Sequence, residues 1–169
     1  DFTINWDSQG VPSGWNLNVD TSGPMVTDSI SWNGFYEFDV VLSVPGDALA
    51  GSTATFSMSA ASNGDSSQTA SQEFTAVVDQ HYGVTLSVDS DSKENKPGED
   101  VDFIFNITNT GNGQDNYILS VSGPAVWNPV LSQNVSSINA VSVSQFTLTV
   151  SIPSDRDAGA SSGDIVVTV

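Results

Sequence analysis

The sequence predicts an all-β protein made of two antiparallel β-sandwiches in tandem, and three observations lead to this class. Apolar residues recur at every second position along much of the chain, which is typical of strands with one buried and one wet face. Turn-forming pairs such as Asn63-Gly64 and Pro97-Gly98 separate these stretches. A block of sequence also returns later in the chain, which indicates two related units.

The alternation predicts the individual strands in order. It runs through the stretches 36–45, 54–60, 84–88, 101–108 and 144–153. In the last of these, Phe146, Leu148 and Val150 share one face, and Thr147 and Thr149 share the other. We find no sustained helical period, so the sequence predicts no helix.

The repeat is the most informative feature. Phe38 to Pro45, followed by Ala50-Gly51, matches Phe146 to Pro153, followed by Ala158-Gly159, at an offset of 146 − 38 = 108 residues. A second match joins two tryptophans, since Trp15-Asn16 corresponds to Trp127-Asn128 at an offset of 127 − 15 = 112. The two offsets differ by only a few residues, so both matches belong to one internal repeat.

The repeat also predicts where the units begin and end. We expect one sandwich at residues 1–79, a linker at 80–83 and a second sandwich at 84–169. Aligned in this way, the first unit lacks its opening strands and the second lacks its closing strand. Three explanations stay open: the chain is a piece of a longer array, neighbouring subunits supply the strands, or each unit is sufficient as it stands.

A family resemblance rests on the segment from Lys96 to Asp115. Its turn Pro97-Gly98-Glu99, its strand and its Asn109-Thr-Gly-Asn112 turn precede Trp127 and Ala158-Gly159. This pattern resembles immunoglobulin-like modules associated with α-galactosidases and with archaeal and bacterial surface proteins, and the related CARDB adhesion modules. The resemblance covers 84–169 well and 1–79 in part. It implies tandem immunoglobulin-like sandwiches that serve as spacers, stalks or assembly units, without catalytic residues.

Composition narrows the function classes further. Twenty acidic and three basic residues give a net charge of −17, which disfavours nucleic acids and anionic membranes as partners. No apolar run is long enough to span a membrane, so we expect no direct membrane insertion by this fragment. The chain has no cysteine and a single histidine, His81 in the expected linker, so we expect no enzyme.

Calcium is the cofactor considered from the residues; no other cofactor is expected. Aspartates cluster at Asp89 and Asp91 and again at Asp155 and Asp157, and carboxylate oxygens are the ligands that calcium prefers. None of these stretches has the spacing of a known calcium loop. The alternative is acidic loops in contact with solvent.

Aromatic residues suggest two further roles. Trp32, Phe35 and Tyr36 could stack on a carbohydrate, or they could belong to a hairpin and pack in a core. Trp15 and Trp127 are expected to be core aromatics, as large aromatics are in many sandwiches.

Asparagines suggest modification and turns. Asn106 and Asn134 begin Asn-X-Ser/Thr sequons and are candidates for glycosylation. Asn109 and Asn112 are expected to allow left-handed turn conformations.

The function expected from these features is that of a structural or assembly module in an extracellular surface-layer, stalk, adhesin or filament protein. Its partners would be neighbouring copies of the same protein, possible donors of complementing strands, or adjacent modules of a longer chain. The alternative is a carbohydrate- or ligand-binding accessory module of a secreted enzyme. In both cases we expect a location outside the cell or on its surface.

Overall fold

A computed structural model describes residues 1–19 and 24–169. Within these ranges the protein is all-β: its regular elements are antiparallel strands and one short 3-10 turn. Its contacts divide the chain into two compact units, Asp1–Asp79 and Gln80–Val169. No helix in the described ranges is long and apolar enough to cross a bilayer.

The first unit contains two antiparallel sheets. Its strands are β1 (Phe2–Gly10), β2 (Asn16–Val19), β3 (Met25–Val26), β4 (Val40–Ser43), β5 (Thr53–Ser62) and β6 (Thr69–Val77). The larger sheet has the order β3-β1-β5-β6, and the smaller sheet consists of β2 and β4. Buried apolar residues come from both sheets, and the most enclosed are Ile4, Val19, Met25 and Ala54.

A bulge shapes β1 where it passes β5. The pairing shifts register between Asp7 and Gly10, and Gly10 then lies opposite Thr55. A Cβ atom at Gly10 would lie 2.5 Å from the Thr55 carbonyl oxygen, so a larger residue could not approach the neighbouring backbone so closely. The bulge therefore depends on glycine at this position.

The second unit contains more strands. They are β7 (Val84–Val88), β8 (Asp100–Asn109), β9 (Asp115–Ile118), β10 (Ser120–Ser122), β11 (Val130–Leu131), β12 (Val135–Ile138), β13 (Val143–Ser151) and β14 (Val166–Thr168). A 3-10 turn at Ala125–Trp127 follows β10. One sheet has the order β11-β13-β8-β7, and two short pairs, β12-β9 and β10-β14, form the remaining sheets.

The long pair β8 and β13 organises the core of the second unit. Nine consecutive pairs run from Val143 opposite Thr108 to Ser151 opposite Asp100, so the alternating apolar residues of both strands share one face. Phe105 and Phe146 face each other and stack with ring centroids 5.2 Å apart. This face packs on residues of β9 and β12 at one end and of β10 and β14 at the other.

Turns of the backbone recur at the offsets of the sequence repeat. The Trp15 amide donates a hydrogen bond to the Pro12 carbonyl at 3.1 Å, and the Trp127 amide donates to the Pro124 carbonyl at 3.0 Å. The same Pro-to-Trp turn therefore follows β1 in the first unit and β10 in the second.

A second pair of turns follows β4 and β13. The Ala48 amide donates to Pro45, and at the offset of 108 residues the Arg156 amide donates to Pro153. Gly51 and Gly159 adopt φ angles of 80° and 81°, in the left-handed region that glycine occupies without strain. The sequence match thus extends to local backbone conformation.

Two details differ from the sequence predictions. The strand expected over 36–45 covers only Val40–Ser43, which pairs with Asn16–Val19. Asn109 and Asn112 do not take the left-handed conformation expected of them. Outside glycine, positive φ angles in the described ranges occur at Asn33, Asn128 and Val141.

The segment expected as a linker, 80–83, is hydrogen-bonded to the second unit. The His81 amide donates to the Asn112 side chain at 2.7 Å, and the Asn112 amide donates to the His81 carbonyl at 3.2 Å. The Gly83 carbonyl accepts hydrogen bonds from the Thr110 amide and the Tyr117 hydroxyl. These residues are therefore part of the second unit and do not form a separate linker before it.

Candidate interaction surfaces

The strand pairings of the two units follow one scheme. The pair β1–β3 corresponds to β9–β12, the pair β1–β5 to β10–β14, and the pair β2–β4 to β11–β13. Among the described strands, β6 has no counterpart in the second unit, and β7 and β8 have none in the first. Each unit thus contains strands that the other lacks.

In the second unit, β7 presents apolar side chains that nothing in the unit covers fully. Its register with β8 places Val84, Leu86 and Val88 on the same face as Phe105 and Ile107, which face the core. Ile107 is fully buried, yet the three β7 side chains are 43%, 36% and 36% exposed. The core face of the sheet is therefore open along β7.

The neighbouring edge of the second unit is open as well. β14 pairs with β10 through Val166, Val167 and Thr168, and no other described strand pairs with β14. Val167 and Ile165 contribute to the same apolar cluster as Val101 and Phe103 of β8. β7 lies beside β8 in the facing sheet. A strand added at the unpaired edge of β14 would therefore lie across the core from β7.

In the first unit, the open face includes β6, the strand that has no counterpart in the second unit. Phe56 of β5 and Phe74 of β6 are directly opposite and stack at 5.3 Å, on the face that carries the buried Ala54. Phe74 is nevertheless 43% exposed. Among the described strands, β4 pairs only with β2, whereas the equivalent strand β13 pairs with both β11 and β8. No described strand of the first unit therefore lies at the edge of β4 where β8 lies beside β13.

The calcium candidate at Asp89 is engaged by other groups. Its carboxylate accepts hydrogen bonds from the Lys93 ammonium and from the Ile104 and Ser90 amides. The Lys93 hydrogen bond, followed by that of the Ile104 amide, lowers the pKa of Asp89 below its ordinary value. The Lys93 ammonium is thus the cation beside the Asp89 carboxylate, and this ion pair closes the loop between β7 and β8.

The other calcium candidates do not assemble a ligand set. Asp91 is exposed in the same loop, and Asp155 and Asp157 lie in exposed turns after β13, where Asp155 is 3.7 Å from the Arg156 side chain. Across residues 1–19 and 24–169, no three acidic or histidine side chains converge as a metal site requires.

The candidate aromatic platform lies on an exposed loop before β4. Trp32 is 97% exposed and Phe35 is 82% exposed, so the alternative of a hairpin with core aromatics is wrong for these two residues. A turn closes from the Gly34 amide to the Ser31 carbonyl at 2.8 Å, with Asn33 at φ 60°. Tyr36 is partly exposed, and its hydroxyl contacts the Met25 sulfur at 3.9 Å.

The two sequons lie in different settings. Asn106 is half-buried on the outer face of β8, where its side-chain oxygen accepts a hydrogen bond from Gln145. Asn134 is exposed just before β12, but Ser136 of its sequon is buried. Asn134 is therefore the more accessible of the two acceptor positions.

The tryptophans expected in the cores differ from each other. Trp127 is 8% exposed and packs with Leu148 and Val150 in the second unit. Trp15 is half-buried in the first unit. The less complete burial of Trp15 agrees with the smaller number of strands around it.

Sequence reasoning missed the role of the Asn109 side chain. Asn109 is 1% exposed, and its Nδ2 donates to the Gly113 carbonyl at 2.8 Å and the Ile138 carbonyl at 3.0 Å. Its Oδ1 accepts a hydrogen bond from the Gly111 amide at 2.8 Å. The side chain thus joins the end of β8, the turn after it and the end of β12. An asparagine followed by Thr-Gly-Asn-Gly was the available signal for such a turn.

Comparison with known protein families, curated proteins and solved structures finds no match to this chain. The likeness to immunoglobulin-like modules therefore stays an expectation from the motif at Lys96–Asp115. The function proposed for the chain rests on its own strands, edges and side chains.

Proposed function

We propose that the chain is a structural assembly module of an extracellular protein, such as a surface-layer, stalk, adhesin or filament protein. In this role, neighbouring repeats complete each other's sheets. The observation that carries the proposal is that each unit leaves core-facing apolar residues open where the other unit has a strand: Phe74 in the first unit, and Val84, Leu86 and Val88 in the second. Open edges and faces of this kind favour strand addition by another chain segment.

The charge of the chain supports the same role. A net charge of −17 makes copies repel one another in dilute salt and keeps the open edges soluble. At about 1 M salt, the screening length falls to about 3 Å, so apolar faces can then meet. Assembly would therefore be favoured in a salty medium, and copies of the same protein or adjacent modules are the partners that fit.

Self-association at high salt tests this role. In sedimentation experiments, we expect the full chain to associate as its concentration rises in about 1 M salt and to stay monomeric in dilute salt. Phe74→Asp places a charge on the open face and should weaken the association at least about tenfold, because burying that charge is costly. Thr75→Asp adds the same charge to the opposite face of β6 and should have little effect.

Two outcomes would count against the proposed role. One is a chain that stays monomeric at every salt and protein concentration. The other is association that Phe74→Asp and Thr75→Asp weaken equally, since assembly would then not use the open face.

A carbohydrate-binding accessory role is the second candidate, and the exposed aromatic loop favours it. Trp32 and Phe35 are large apolar side chains in contact with solvent on one short loop, and the flat face of an aromatic ring can pack on a sugar. The loop also contains a turn, closed from the Gly34 amide to the Ser31 carbonyl, which includes Trp32 and directly precedes Phe35. This role would use the first unit alone.

Polysaccharide pull-down of the full chain tests the second candidate. We expect Trp32→Ala to reduce any specific binding about tenfold or more, because exposed tryptophans dominate such contacts. Tyr82→Ala removes an exposed aromatic of the second unit and should leave the binding unchanged. Absence of binding, or equal loss in the two variants, would remove the aromatic loop from consideration.

A further inference from the structure

We propose that the free edge of β14 accepts an antiparallel strand of the β6 type, supplied by a neighbouring repeat of the same protein. The inference rests on the proposed assembly role and names the strand by which the second unit would be joined. Three observations carry it: the order of the strands, the side chains left uncovered, and the sequence of β6 itself.

The order of strands gives the position. In the first unit, β6 pairs with β5 over nine residue pairs, from Thr53 opposite Val77 to Ala61 opposite Thr69. β14 is the counterpart of β5, because β14 pairs with β10 as β5 pairs with β1. The edge at which β5 receives β6 is the edge that β14 leaves unpaired among the described strands.

The uncovered side chains give the contact that the added strand would make. Ile165 and Val167 pack on the same buried cluster as Val101 and Phe103 of β8, so we place β14 across the core from β8. The next strand beyond β14 would therefore lie against β7, the next strand beyond β8. The core-facing side chains of β7 are the ones that stay more than one third exposed.

The sequence of β6 fits that position. On the face that carries Phe74 it also has Ala70, Gln72 and Ala76, so one large aromatic shares this face with two alanines and an uncharged glutamine. Its single charged residue, Glu73, lies on the opposite face. A strand with so little acidic charge can approach a unit of this net charge without strong repulsion, and its aromatic ring can cover Leu86.

An extended chain tests the inference directly. We align the buried Leu119 with the buried Ile4, which aligns Val121 with Trp6, and their pairing partners Val167 and Met58 then correspond as well. On this register Val169 corresponds to Ala60. A copy of residues 61–78 attached after Val169 in the full chain therefore places a second β6 beside β14, with its own turn at Asn63-Gly64.

The expected result is docking of the attached strand. The amides of β14 and of the attached copy should become protected from hydrogen exchange, and the melting temperature of the second unit should rise by about 5 °C. Phe74→Asp made only in the attached copy should abolish both changes. In the extended chain, Leu86→Ala should reduce the rise in melting temperature by about half, whereas Ser87→Ala on the other face of β7 should not.

Three results would overturn the inference. The attached copy could exchange freely with no change in melting temperature. The Phe74→Asp copy could dock equally well, which would show that the β14 edge does not select the strand it binds. The unextended chain could protect its β14 amides by self-association, which would assign the edge to a second β14.

The outcomes of this test differ from those for the assembly role. Docking of the attached strand in a chain that stays monomeric at high salt would keep the β14 inference and remove the assembly role. Association at high salt that depends on Phe74, without docking of the attached strand, would keep the assembly role and remove the β14 inference.

Discussion

Replacing Asn109 by alanine is expected to destabilise the second unit by about 3 kcal/mol. The change removes three hydrogen bonds and leaves the carbonyls of Gly113 and Ile138 and the amide of Gly111 without their partner. Each buried group left unsatisfied costs about 1–3 kcal/mol. The methyl group of alanine restores none of these bonds.

Calorimetry of the full chain measures this effect as a lower unfolding temperature of the second unit. Asn116→Ala, at an exposed position of β9, provides the control and should cost less than about 0.5 kcal/mol. Asn109→Asp keeps the acceptor for Gly111 but turns a donor into an oxygen that faces two carbonyls, so it should be at least as harmful as alanine. A loss below about 1 kcal/mol for Asn109→Ala would show that the turn holds without the side chain.

The second large effect is expected from Phe146→Ala, at about 3–5 kcal/mol. Phe146 is almost completely buried and stacks on Phe105 across the pair β8–β13. Alanine leaves a cavity between two sheets and removes an aromatic contact, and both losses add to the lost burial.

The repeat provides a matched comparison for Phe146. Phe38 occupies the equivalent position in the first unit, but it lies before β4 and is half-buried, since no strand corresponding to β8 covers it. Phe38→Ala should therefore cost only about 1–2 kcal/mol. Urea unfolding of both variants, followed by hydrogen exchange in each unit, measures the difference. Equal losses would contradict the idea that the first unit is open beside β4.

Much of the architecture could be predicted because it depends on local pattern. The alternation of apolar residues predicted which face of β8 and of β13 is buried, and the observed register of the two strands agrees with this prediction. The repeat offset predicted the turns, since proline restricts the backbone at Pro45 and Pro153 and glycine permits the left-handed conformation at Gly51 and Gly159. These features need only neighbouring residues in the chain.

Other features depend on contacts between distant residues and could not be predicted. Tyr36 and Phe38 continue the alternation of β4, but β4 begins only at Val40, which pairs with Val19 of β2. The bonding of Asn109 requires the end of β12 to lie beside it, 29 residues further along the chain. The engagement of Asp89 by Lys93 likewise depends on how the loop closes, so aspartate spacing alone suggested calcium.

The small sheet of β2 and β4 has a consequence for how the first unit folds. A two-stranded ribbon is marginally stable by itself in water, so β2 and β4 need the larger sheet as a surface on which to form. The hairpin β5–β6 closes over a short turn, whereas pairing Val19 with Val40 must close a longer loop of chain. The first unit should therefore fold from its C-terminal hairpin towards its N-terminal strands. The ribbon would be the last part to form and the first to open, which makes β2 and β4 the strands of the first unit most accessible to proteolysis.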